Sequence, residues 1–321
     1  MPASALSRRR FLATMGLALA GVACTGGGKP KPSHAPPAPG SIDDLKQDTA
    51  NLSLLLSADP DNGLNPGPNR LAFDLATLQG GVVSAGSPKL YLARSSSEKA
   101  LGPFPATWYP FTGYGETGDH SPKSPLPGLY SLEADIPSTG NWLALALIDN
   151  GGQTASGLAR FPVTTGKLPA AVGSRAVSTP TPVATTEAKL KEICTRTPPD
   201  HMHSISLDDA LKNGKPTAVS FATPLLCESQ LCGPVVDEHI LAFEKIGPHR
   251  ANFIHVEEFL PGPDLTPPPV SLAGRSPAFK AWGFESEPWV IVIDGDGIIR
   301  ARLGPGPCAA VEIEAALAPL L

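Results

Sequence analysis

Three kinds of pattern are missing from this 321-residue sequence, and each absence excludes a class of protein. There is no basic stripe: the net charge is −5 and only 17% of the residues are charged, which argues against a nucleic-acid partner. There is no GxSxG motif, no phosphate-binding loop and no paired zinc-type CxxC motif, so hydrolase and kinase chemistry have no support. The apolar run at residues 11–23 is shorter than the about 20 residues that a membrane-spanning helix needs.

The N-terminus has the pattern of an export signal instead. Ser7-Arg8-Arg9-Arg10-Phe11-Leu12 resembles the twin-arginine signature of the Tat translocase, and a short apolar stretch follows it. Gly21-Val22-Ala23-Cys24 resembles a bacterial lipobox, with Gly21 where Leu is usual. We expect residues 1–24 to be a signal peptide and Cys24 to carry the lipid, with ordinary cleavage as the alternative. The protein would then be a lipoprotein on the outer face of the bacterial cytoplasmic membrane.

Proline and glycine are abundant, at 37 and 32 residues, and both collect in linkers and turns. Residues 25–40 have no periodicity and are expected to be a disordered tether. Residues 167–187 form a Pro/Thr-rich stretch, which we interpret as a semi-extended linker. These boundaries predict two domains, 41–166 and 188–321.

The first of these domains consists of short apolar runs separated by Gly, Pro, Asn and Asp, which is typical of an all-β sandwich. We expect Trp142 to anchor its core. The pattern resembles the small immunoglobulin-like sandwiches of exported bacterial proteins, including the copper-resistance type.

The second domain is organised around the stretch Thr217–Val236, TAVSFATPLLCESQLCGPVV. Its apolar start predicts a strand, which enters a loop carrying Cys227 and Cys232, and Pro234 suits the first turn of a helix. A helix N-terminus stabilises a thiolate, the reactive form of cysteine. We therefore expect a disulfide between these cysteines, with Cys232 as nucleophile and Cys227 as the resolving residue. A static disulfide that only shapes the loop is the alternative.

The order of predicted elements from residue 186 onward is β-α-β-α-β-β-α, with the cysteine loop before the first of these helices. This order resembles the thioredoxin fold, an α/β architecture. Three local features support the resemblance: Cys232-Gly233-Pro234 at a helix start, Pro288 before an apolar strand, and the turn Asp294-Gly295-Asp296-Gly297, which is similar to that of the TlpA-like branch. The resemblance implies a cis-proline at Pro288 facing the cysteines, and a substrate-binding backbone at Glu287.

The sequence also departs from the thioredoxin pattern. Val235 stands where the second cysteine of the Cys-x-x-Cys motif would be, and Cys227 lies five positions upstream of Cys232 instead. Leu225 and Leu226 occupy the place of the usual tryptophan. Glu287 is an acidic residue at a position that is usually neutral.

The function expected from these features is thiol–disulfide exchange with exported proteins, supported by a redox partner and requiring no cofactor. One alternative is a binding or scaffold lipoprotein without turnover. Separately, Cys194 and Cys308 are the remaining cysteines of this domain, and the possibilities for them are a second, structural disulfide or two unrelated free thiols. Another alternative function is that of a copper protein similar to the Sco type, either through the cysteine loop or through His201-Met202-His203 if these lie on one strand face. Sco-type proteins add a late histidine, whereas no histidine follows His255 here, and no metal site is assigned.

Overall fold

The computed structural model describes residues 40–57, 64–84, 86–111, 127–150, 152–165, 169–227, 231–260 and 274–321. All of them belong to one compact unit, His34–Leu321. No helix among these residues is both long enough and apolar enough to cross a membrane.

The N-terminal part forms one eight-stranded sheet. A short helix, α1 (Ile42–Lys46), precedes it and is capped by the Ser41 side chain. The strands are β1 (Ala50–Ser57), β2 (Gly67–Ala76), β3 (Lys89–Ala93), β4 (Leu101–Pro105), β5 (Thr107–Pro110), β6 (Gly128–Ile136), β7 (Gly140–Asn150) and β8 (Gln153–Val163). Their order in the sheet is β4-β3-β7-β8-β1-β2-β6-β5.

Strand β1 holds this sheet together, because it pairs antiparallel with β2 on one side and parallel with β8 on the other. The side chains that alternate toward one face of the strands form a continuous core. Phe73, Tyr130 and Trp142 lie in that core, and all three are buried. The expectation that Trp142 anchors a core is therefore confirmed.

The C-terminal part forms a four-stranded sheet with helices of 4 to 15 residues around it. Its elements are α2 (Glu187–Ile193), α3 (Leu207–Ala210), β9 (Thr217–Phe221), α4 (Cys232–Ile246), β10 (Asn252–Val256), α5 (Pro277–Trp282), β11 (Trp289–Ile293), β12 (Ile299–Leu303) and α6 (Ala310–Leu317). The order is β10-β9-β11-β12. Strands β9 and β10 are parallel, whereas β11 is antiparallel to both β9 and β12.

Strands β9, β10 and β11 are buried along their whole length, so both faces of this sheet are covered. On one face, Phe221 and Ile291 pack with Phe279 of α5. On the other face, Ala218 and Val292 belong to a second cluster, which α4 and α6 cover. Such burial on both faces explains why these strands are continuous apolar runs in the sequence.

The segment expected to be a linker packs against the four-stranded sheet instead of standing free. Gly173 N–H donates to the Ile299 carbonyl at 2.8 Å, and Ile299 N–H donates to the Ser174 carbonyl at 2.9 Å. Further along, Thr181 Oγ1 accepts a hydrogen bond from the N–H of Leu207 in α3. Residues 169–186 thus run beside β12 and then across α3.

The fold class predicted from the sequence, an immunoglobulin-like sandwich followed by an α/β thioredoxin-like domain, is wrong. The described residues are mostly β, arranged as an eight-stranded and a four-stranded sheet, and the helices are few and short. The N-terminal strands form one sheet and not two separate ones, because residues 53–57 of β1 pair with β2 and residues 50–52 pair with β8. Among the described residues of the C-terminal part, α4 is the one helix longer than eight residues.

Candidate functional site

Two groups of chemically reactive side chains lie at the ends of strands β9 and β10. The first contains the sulfur atoms of Cys227 and Cys232 with the carboxylate of Glu287, and the second contains Cys194, Asp200, His203 and His255. Within each group, one ligand-type atom from every residue lies within 4.8 Å of all the others.

The cysteine loop follows the buried strand β9 and ends where α4 begins. Cys227 and Cys232 form a disulfide, with their Cα atoms 6.0 Å apart, within the usual range for such bonds. Residues 228–230, between them, lie outside the described part of the chain. The backbone N–H of Cys232, at the start of α4, donates to Cys227 Sγ at 3.3 Å.

The two sulfur atoms differ in accessibility. Cys232 is fully buried, whereas Cys227 is partly exposed. The helix N-terminus therefore directs an N–H group to the more accessible sulfur. A partner can therefore reach Cys227 more readily than Cys232, which is the enclosed member of the pair and the residue that we expected to be the nucleophile.

Glu287 and Pro288 lie next to this disulfide. The peptide bond between them is cis, as the resemblance implied, and a carboxylate oxygen of Glu287 lies within 4.8 Å of both sulfurs. Glu287 Oε2 is enclosed and has no hydrogen-bond partner among the described residues. Burial raises the pKa of Glu287 well above its ordinary value, and the nearby Glu258 and Glu257 carboxylates raise it further. The surroundings of Glu287 thus favour its protonated form, beside a disulfide.

The second group is buried below the loop, and His255 of β10 is at its centre. His255 Nδ1 lies 2.8 Å from Asp200 Oδ2 and 3.9 Å from Cys194 Sγ. The Cys194 thiol donates to Asp200 Oδ2 at 3.2 Å. His203 Nε2 lies 3.6 Å from Asp200 Oδ1, which is too long for a hydrogen bond.

The charges in this second group depend on one another. Burial acts to lower the pKa of His255, but the Asp200 carboxylate holds it well above its ordinary value. Burial likewise acts to raise the pKa of Asp200, but His255 and His203 hold it well below its usual range. Burial raises the pKa of the Cys194 thiol. It also raises the pKa of the adjacent Glu257 to about 7.

The remaining residues expected from the sequence lie elsewhere. Cys194 and Cys308 are both buried and free, so the structure does not join them by a disulfide. Cys194 contacts Asp200 and His255, whereas Cys308 belongs to the cluster under α4 and α6. Cys24 and the rest of the export signal lie outside the described residues.

His201 and His203 do not share a strand face, because residues 201–205 form turns and bends. His201 is exposed and His203 is buried. Sequence reasoning missed the group that contains His203. A signal for most of it was present, since Cys194, Asp200 and His203 follow one another as Cys-x5-Asp-x2-His. The fourth member, His255, comes from a distant strand.

Comparisons with known proteins do not identify a family for this chain. No protein family profile matches the chain, and no curated protein matches it. Among solved structures, one of titin M4 in a trigonal form is 14% identical, with a TM-score of 0.19, and the match covers 36% of this chain and 98% of that chain. A likeness at this level supports no conclusion about fold or function.

Proposed function

We propose that this protein exchanges disulfides with the thiols of exported proteins through Cys227 and Cys232. The observation that supports this most directly is the disulfide itself. It has one partly exposed sulfur at a helix N-terminus, a buried second sulfur, and a carboxyl group with a raised pKa beside both. Labile disulfides are those that a thiolate can reach and whose leaving sulfur is stabilised.

The first step is attack by a partner thiolate on Cys227 Sγ, the sulfur that is partly exposed. A mixed disulfide forms between the partner and Cys227, the bond to Cys232 breaks, and the electron pair of that bond stays on Cys232 Sγ. The Glu287 carboxyl, whose raised pKa favours its protonated form, lies within 4.8 Å and supplies a proton to this buried sulfur. General acid catalysis of this kind eases the departure of the leaving group.

The second step releases the partner. The partner's second thiolate attacks the partner sulfur that is bonded to Cys227. A new disulfide forms within the partner, and Cys227 leaves as a thiolate, which then takes up a proton from solvent. The N–H of Cys232 is placed to stabilise that thiolate. Overall the partner loses two electrons and two protons, and this protein gains them as two thiols. The reverse sequence reduces a partner disulfide.

The export signal ends at Cys24 and supports action outside the cytoplasm. In this proposal the lipid on Cys24 anchors the chain to the outer face of the cytoplasmic membrane. Its partners there are exported proteins with free thiols or disulfides, and a separate redox protein that resets the Cys227–Cys232 pair.

The test uses the oxidised full chain and a reduced dithiol peptide, with peptide oxidation followed over time. We expect rapid oxidation by the wild type and by Cys308→Ala, a control that removes a buried free cysteine outside the loop. The Cys227→Ser/Cys232→Ser double variant should show only the background rate. Equal rates for the wild type and this double variant would show that the disulfide only shapes the loop.

The single variants test which sulfur reacts first. With oxidised glutathione, Cys232→Ser should form a mixed disulfide at the accessible Cys227, whereas Cys227→Ser should do so much more slowly, because Cys232 is buried. Intact-mass spectrometry measures both products. Faster labelling of Cys232 would restore the roles first expected from the sequence.

A further inference from the structure

The buried group around His255 takes no part in the disulfide exchange proposed above. It brings together one thiol, one carboxylate and two imidazoles, from Cys194, Asp200, His203 and His255. All four side chains are buried. Thiolate, imidazole and carboxylate are the protein ligands of zinc, and four such ligands complete a closed structural site.

The spacing of the four side chains suits a single ion. Zinc bonds of about 2.0–2.3 Å in a tetrahedron place neighbouring ligand atoms roughly 3.3–3.7 Å apart. Asp200 Oδ2 lies 3.2 Å from Cys194 Sγ and 2.8 Å from His255 Nδ1, and its other oxygen, Oδ1, lies 3.6 Å from His203 Nε2. The distance between Cys194 Sγ and His255 Nδ1 is 3.9 Å. Small side-chain adjustments therefore bring all four atoms to one ion.

A second observation points independently to a ligand. His203 Nε2 is enclosed by protein and has no hydrogen-bond partner among the described residues. Buried polar atoms without a partner are uncommon, and this atom is directed into the group, 3.6 Å from Asp200 Oδ1. A buried ion pair between Asp200 and His255 accounts for those two residues but leaves His203 Nε2 unsatisfied, whereas a metal ion satisfies it.

The surroundings orient two of the ligands as metal sites commonly do. His255 Nε2 lies 2.9 Å from the Ala222 carbonyl, so it donates its proton there and leaves the Nδ1 lone pair for a metal. The N–H of Met202 donates to Asp200 Oδ1 at 3.0 Å and fixes that carboxylate. His203 also lines a surface cleft together with Leu190 and His201, which gives an ion a route to the group.

We propose that Cys194, Asp200, His203 and His255 bind one zinc ion tetrahedrally, as a structural site. The ion connects two parts of the chain. The segment that follows α2 carries the first three ligands, and strand β10 carries the fourth. This site is independent of the Cys227–Cys232 disulfide and of the function proposed for it.

The direct test uses the folded full chain, stripped with a chelator and reloaded with Zn²⁺. We expect one zinc per chain by mass spectrometry of the metal after gel filtration. Cobalt in place of zinc should give the visible bands of a tetrahedral ion and a near-ultraviolet sulfur-to-cobalt charge-transfer band. Wild-type protein that is folded by circular dichroism but retains neither metal would overturn the proposal, whatever the variants do.

Variants then locate the ion. Cys194→Ser should abolish the charge-transfer band, and His203→Ala should reduce zinc retention. The matched control is His201→Ala, two residues away and exposed, which should retain one zinc. The Cys227→Ser/Cys232→Ser variant should also retain one zinc. If that variant loses the ion while Cys194→Ser keeps the charge-transfer band, the metal lies in the cysteine loop and the proposed site is wrong.

Discussion

Arg70 of β2 and Glu312 of α6 are joined by two parallel hydrogen bonds, Nε to Oε1 at 2.9 Å and Nη2 to Oε2 at 2.8 Å. Their side chains are only 8% and 9% exposed. Arg70 also donates to the Pro307 carbonyl, and Glu312 accepts the N–H of Ala309. Since β2 belongs to the eight-stranded sheet and α6 covers the four-stranded one, this ion pair links the two sheets.

Removing one partner of this pair should be strongly destabilising, because it leaves the other charge buried and uncompensated. We expect Arg70→Ala to lower the free energy of unfolding by about 3–5 kcal/mol, measured by urea denaturation. The control is Lys245→Ala, which removes the mostly exposed partner of Glu314 and should have a much smaller effect. Similar small losses for both variants would mean that the Arg70 pair does not hold the sheets together.

The stability of the eight-stranded sheet should depend on the protonation of Asp74. This residue is buried in β2, and its Oδ1 has no hydrogen-bond partner within the described part of the chain. Burial raises its pKa from 3.8 to about 7, so the folded protein holds this proton more tightly than the unfolded chain. The stabilisation is complete below the unfolded pKa and is lost as the pH rises through about 7, by up to about 4 kcal/mol.

Asp74→Asn keeps the shape of the side chain and removes the charge. Relative to the wild type, this variant should gain stability as the pH rises from about 4 to about 7, as measured by denaturant unfolding at several pH values. Glu98→Gln, on the exposed surface, is the matched control and should leave the pH dependence unchanged. Parallel stability curves for Asp74→Asn and the wild type would contradict the assignment.

Local sequence patterns were enough to place most C-terminal elements. The apolar strand expected after Pro288 is β11, and α4 begins at Cys232, within the Cys232-Gly233-Pro234 stretch that predicted a helix start. The pair Cys227–Cys232 was also predictable, because only four residues separate the two cysteines in the sequence. These features are determined by residues that lie close together in the sequence, so a local sequence pattern is enough to predict them.

Long-range pairing was not predictable in the same way. The parallel pairing of β1 with β8 joins residues about a hundred positions apart, such as Leu52 and Gly157, and it changes two expected sheets into one. The group around His255 likewise needs residues from two distant segments. Apolar alternation identifies a strand but does not identify its partners.

Gly157 of β8 leaves little room for a side chain beside β1. A Cβ atom there would lie 2.9 Å from Leu54 Cβ and 3.1 Å from Leu54 N. We expect Gly157→Ala to cost about 1–3 kcal/mol of stability through overpacking, measured by urea denaturation. In the double variant with Leu75→Ala, the combined loss should be smaller than the sum of the two single losses, since this variant removes Leu75 Cδ2, which would lie 3.0 Å from the added Cβ. Strict additivity would show that the sheet accommodates the methyl group elsewhere.

The last prediction concerns the proton that the leaving sulfur needs during exchange. Glu287 has a pKa well above its ordinary value because it is buried near Glu258 and Glu257, and it lies within 4.8 Å of Cys232 Sγ. If it acts as the general acid, Glu287→Gln should slow the oxidation of a dithiol peptide by about 10²-fold at pH values below that raised pKa. Stopped-flow kinetics across a pH series measures this effect.

The pH series separates a proton donor from a residue that only supports the loop. As the pH rises through the raised pKa, wild-type Glu287 loses its proton, so the ratio of the wild-type rate to the Glu287→Gln rate should fall toward one. The exposed Glu285→Gln, two residues away, should retain the wild-type profile. A ratio that stays constant across the series would assign Glu287 a structural role, because amide substitution would then slow both protonation states equally.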